Sequence, residues 1–145
     1  MSFVKNDAAY EQISLHDSTM DLTEREKRFL NRSWAKYFAE HIFPKIDEAP
    51  FSVLYSQKDS RPNTPVNIQL GALILKEFTG LSDEAMVEAL MFDVRFRYAL
   101  HTTSMTEQPL SDRTLGRFRE RCHSYEVSTG IDLIQIGRAS CRERV

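Results

Sequence analysis

The sequence predicts an all-α protein: a compact multi-helix domain of five or six helices, with helix-turn-helix-like elements. Three observations carry this. Apolar residues recur at helical spacing, Ser, Thr and Gly stand where helices start and stop, and no stretch alternates as a half-buried strand does. At 145 residues the chain suffices for one domain. With 41% hydrophobic and 28% charged residues it has the composition of a soluble globular protein. The longest apolar run, near "LGALIL", is far below the roughly 20 residues of a membrane span, so no membrane partner is expected. The first residues hold no secretory apolar segment, and the expected location is cytoplasmic.

Residues 1–20 are weakly patterned and read as a flexible N-terminal arm. In "LTEREKRFLNRSWAKYFAEHIF", Thr23 and Glu26 are spaced as a capping box. Leu30, Trp34, Tyr37, Phe38, His41 and Ile42 then form one stripe on a helix of about five turns. "FSVLY" (51–55) predicts one or two helical turns, and "SQKDSRPNTP" (56–65) a loop. Thr64 is expected to cap the next helix, with Pro65 in its first position. That helix is apolar on most sides and is the expected central one, with Gly80 just past its end. Ser82 caps "DEAMVEALMF", and "DVRFRYAL" continues as helix after a bend. Asp93 reads as a helix cap or a partner of Arg95 or Arg97.

Ser111 caps the last expected helix, which runs to about Tyr125. Leu115, Phe118, Cys122 and Tyr125 form its buried stripe. Arg113, Arg117 and Arg121 step by four, drifting only ~40° per step, and form a second stripe, while Arg119 stands apart. Two readings are open: a solvated helix face, or a grip on something anionic. Arginine rather than lysine suits phosphate, because its planar fork binds two oxygens at once. The net charge of −2 does not announce a nucleic-acid binder, but a local basic face is what phosphate binding needs. A second basic face, Arg25, Arg28, Arg32 and Lys36, lies on the first helix. The pair of helices around Gly80 has a helix-turn-helix outline. Its second helix would turn Asp83, Glu84 and Glu88 toward phosphates, so the pair reads as a packing unit. His16, His41, His101 and His123 show no metal-ligand spacing, and no phosphate loop or nucleophile motif is present. Neither catalytic residues nor a small-molecule substrate is expected.

Three segments resemble the N-terminal, InsH-like region of bacterial DDE-type insertion-sequence transposases. They are "LTEREKRFLNRSWAKYFAEHIFPKIDEAPFSVLYS", "SRPNTPVNIQLGALILKEFTGLSDEAMVEALMFDVRFRYALHT" and "PLSDRTLGRFRERCHSYEVSTGIDL". The resemblance spans about residues 20–135. It implies a helical domain, 21–136, that binds transposon-end DNA and helps assemble the synaptic complex. It also implies a chain truncated before a ribonuclease-H-like catalytic domain. The acidic triad and two divalent metal ions belong to that domain, so neither catalysis nor a cofactor is expected in this fragment. The "SDRTLGRFRER" motif is the implied DNA-contact helix. The alternative is a protein–protein module that pairs with itself or with full-length transposase. Residues 137–145, "GRASCRERV", look foreign to the family, resemble translated adapter sequence, and replace any helical apolar stripe.

Overall fold

The computed structural model describes residues 2–6, 17–55, 63–105 and 107–142. The first helix, α1 (Glu24–Asn31), opens on the expected capping box. The Thr23 hydroxyl accepts from the Glu26 amide at 3.2 Å, and the Glu26 carboxylate accepts from the Thr23 amide at 3.1 Å. The single five-turn helix expected here is broken. Ser33 is extended, and its hydroxyl donates to the Leu30 carbonyl at 2.6 Å, in competition with the helical ladder. The chain restarts as α2 (Trp34–Tyr37), widens into a π turn over Phe38–Ile42 and tightens into a 3₁₀ turn over Phe43–Lys45. These changes of pitch rotate the expected stripe. Leu30 and Phe38 are buried, whereas Tyr37 and His41 face outward with their rings 4.9 Å apart. The Ala39 carbonyl in the π turn accepts from His101 Nε2 at 2.9 Å.

The turns read from "FSVLY" form a 3₁₀ helix, Ala49–Leu54, that carries Phe51 into the core against Phe118. Most of the loop read at 56–65 lies outside the described residues. The central helix is α3 (Val66–Thr79), and nine of its 14 residues are buried, so it is covered on most sides. Its cap is Pro65 rather than Thr64, one residue later than expected. The acid at its N-terminus is remote in sequence: buried Glu48 accepts from the Asn67 amide at 3.4 Å and from the Asn6 amide at 2.9 Å. Gly80 ends α3 at φ 72°, a left-handed conformation that glycine adopts without steric cost.

Ser82 caps α4 (Asp83–Phe92), accepting from the Ala85 amide at 3.1 Å. The bend expected near 93 is a full break at Asp93, which caps α5 (Val94–Ala99) and pairs with Arg95 at 2.8 Å. Arg97 instead donates to the carbonyls of Leu90 and Met91, satisfying the open end of α4. Ser111 caps α6 (Asp112–Thr129), which runs one turn beyond Tyr125 because no breaker intervenes before Gly130. The last helix, α7 (Leu133–Arg142), was not expected. The described residues thus hold seven α-helices, against five or six read from the sequence.

The described ends of residues 1–20, the segment read as an arm, are hydrogen-bonded to other parts of the chain. Val4 and Asn6 bond Asn63, Glu48 and Asn67, and the Ser18 amide donates to the Thr103 carbonyl at 2.9 Å. Residues 7–16 lie outside the described residues. The boundary set at 136 falls inside α7, and a helical stripe does cross it. Leu133, Gly137 and Cys141 are all buried at steps of four. At Gly137 the backbone approaches the core so closely that a Cβ would sit 2.5 Å from Leu70 Cδ2 and 3.4 Å from Phe51 Cζ. Arg138 adds an ion pair to Glu77 at 2.7 Å. Removing 137–145 is expected to lower the unfolding free energy by on the order of 2–3 kcal/mol, because Leu70 and Phe51 lose their cover. Urea denaturation of the shortened chain checks this, and an unchanged midpoint would mean that the segment adds no packing.

Candidate nucleic-acid interface

Helix α6 presents two faces of different character. Leu115, Phe118 and Cys122 are buried as the stripe predicts, and Tyr125 is half-buried. Helices α3, α4 and α7 and the 3₁₀ helix pack against it. Burial pushes the Cys122 thiol up to about 12, so its protonated form prevails at neutral pH.

The four arginines divide by environment. Arg113 and Arg117 are exposed, and among the described residues no carboxylate pairs with either. Arg121, next on the same ridge, is half-buried with its guanidinium 5.2 Å from the centre of the Tyr55 ring. Arg119 points elsewhere. It forms a two-pronged pair with Asp83, with Nη1 2.8 Å from Oδ1 and Nη2 bonded to Oδ2. Lys76 joins the same carboxylate at 2.6 Å. The cluster fastens α6 to α3 and α4. The hydrogen bonds from Arg119, ahead of those from Lys76, hold the Asp83 carboxyl well below the usual carboxylate range, against the opposing effect of burial.

The second basic face is divided in the same way. Arg25, Arg28 and Arg32 are exposed with no carboxylate partner among the described residues. Lys36 is paired with Glu40 at 2.7 Å, one turn on. Sequence reasoning missed Phe29, which lies between the arginines. It is 55% exposed, with the guanidinium carbons of Arg32 and Arg25 at 4.5 and 5.9 Å from its ring centre. One signal was present: Phe29 falls off the apolar stripe of its own helix. The structure does not gather both basic sets into one groove. Arg25 and Arg32 line a groove of about 610 Å³ between α1 and the start of α5, whereas Arg117 and Arg121 line another of about 450 Å³ beside Leu54 and Tyr125.

Among the described residues no cluster of three or more His, Cys, Asp or Glu side chains could hold a metal ion. No described helix is long and apolar enough to cross a membrane. These features describe a helical domain in which Arg25, Arg28, Arg32, Arg113 and Arg117 are exposed and have no carboxylate partner among the described residues. Residues 24–121 match the family described as Transposase domain (DUF772), and the chain belongs to that family. The matched span runs from the start of α1 to Arg121, and so includes all eight basic residues singled out from the sequence. No curated protein and no solved structure matches the chain.

Proposed function

We propose that this transposase domain binds the ends of mobile DNA in the cytoplasm and helps assemble them, holding the sugar-phosphate strand mainly through α6. One observation carries the reading: Arg113 and Arg117 stand in solvent on one ridge with no carboxylate partner among the described residues, while nearby Arg119 is paired with Asp83. Guanidinium groups left free in this way are suited to bidentate phosphate contact. Arg121 flanks them, and Arg25, Arg28 and Arg32 supply a second contact region on α1. Catalysis of strand transfer, with its metal ions, is assigned to acids outside this chain.

Replacing Arg113, Arg117 and Arg121 with alanine is expected to weaken duplex binding by a similar factor whatever the sequence, because phosphate contacts carry no base information. Fluorescence anisotropy with end DNA and with shuffled duplex checks this. If the triple variant binds as tightly as the parent at several salt concentrations, the assignment is wrong. A second reading, association with itself or with full-length transposase, is supported by Phe78, Phe92 and Val127, each more than 70% exposed. Light scattering separates the two: a concentration-dependent dimer without DNA affinity favours the second.

A further inference from the structure

We infer that the groove between α1 and the start of α5 is a site for an unpaired nucleotide, with the base against Phe29 and its phosphate on the neighbouring arginines. The inference rests on the DNA-binding reading and deepens it. The groove combines two chemistries that a phosphate contact alone does not require. It is lined by Leu22, Leu30, Val94 and the half-exposed Phe29 ring together with Arg25 and Arg32. Both guanidiniums lie over the Phe29 ring, Arg32 at 4.5 Å and Arg25 at 5.9 Å from its centre. An aromatic ring and a guanidinium plane are the two surfaces on which proteins stack unpaired bases.

The charges around the groove are complementary to a nucleotide. One carboxylate, Glu26, lines the groove and accepts from the Thr23 amide, against three lining arginines, Arg25, Arg32 and Arg95, of which Arg95 is paired with Asp93. Arg25, Arg28 and Arg32 have no such partner among the described residues. The volume, about 610 Å³, lies within the range of pockets that hold small organic ligands. A base inside a paired duplex is stacked on both sides and cannot present its face to Phe29. The occupant is therefore a nucleotide displaced from the stack, as at a nick, a flap or a bulge.

The test compares three probes on the full chain: a paired duplex, the same duplex with one unpaired central nucleotide, and a polyglutamate peptide. The parent is expected to prefer the unpaired probe by about fivefold or more, the lower end of what base–aromatic stacking supplies. Phe29→Ala is expected to lose that preference, and Phe29→Trp to retain it. Arg28→Ala is expected to weaken both DNA probes by the same factor. Phe29 is half-exposed and lies outside the buried core, so Phe29→Ala is expected to melt close to the parent. The inference is overturned if the parent shows no preference, if Phe29→Ala keeps it, or if the glutamate peptide binds with the same dependence on Phe29. Equal binding of both DNA probes refutes the stacking site alone, whereas no binding to any DNA refutes the parent reading as well.

Discussion

Replacing Arg113 and Arg117 together with glutamate is expected to reduce duplex affinity roughly 100-fold or more near 100 mM salt, while leaving the thermal melting temperature unchanged. Two phosphate contacts are lost and two repulsions are added, so the effect exceeds that of alanine. The fold is not expected to notice, because both side chains stand in solvent and pair with no carboxylate among the described residues. Surface substitutions of this kind usually change stability by under about 0.5 kcal/mol. Electrophoretic shift or anisotropy measures the first quantity, and a melting curve the second. Loss of both together would show that the ridge is structural.

The opposite pattern is expected at Asp83. Asp83→Asn is expected to lower the unfolding free energy by between about 1 and 3 kcal/mol, the worth of hydrogen bonds to a charged group, reduced by partial exposure of Arg119. The carboxylate joins three helices through Arg119 on α6 and Lys76 on α3. Its pKa is lower in the folded protein than in the unfolded chain. The stabilisation is therefore complete above the unfolded value of roughly 4 and is lost as pH falls below it toward the folded value. The gap between parent and Asp83→Asn should be constant from pH 7 to about 5 and shrink steadily below 4. Denaturant titrations at pH 7, 4 and 3 follow it. A gap that widens in acid would mean that the charge on Asp83 does not stabilise the fold.

Local chemistry was legible in the sequence and long-range chemistry was not. The caps at Thr23, Ser82 and Ser111 and the end at Gly80 were readable because each involves residues a few positions apart. The buried side of α6 followed from its periodicity. The break at Ser33 was missed because the apolar stripe continues through it, and a hydroxyl's choice of carbonyl leaves no mark on that pattern. Helix α7 was missed because Gly137 counts as a gap in an apolar stripe, whereas in the fold its missing side chain lets the helix lie against Leu70. The arginine site was half legible. The spacing identified the ridge, but nothing local reveals that Arg119 meets a carboxylate 36 residues away. The pairs Lys36–Glu40, Arg25–Phe29 and Phe29–Arg32 stand three or four residues apart, the spacing of helical neighbours, so these contacts were open to a sequence reading that looks beyond the apolar stripe.

The most direct measurement is the duplex association constant from 50 to 200 mM salt, for the parent and for the Arg113→Glu/Arg117→Glu protein. A log–log slope between about −2 and −5 is expected for the parent, at about 0.9 per phosphate neutralised by two to five free arginines, and the slope should fall in size by about two in the variant. A parent slope near zero, or the same slope in both proteins, would contradict the claim that these two guanidiniums meet phosphate.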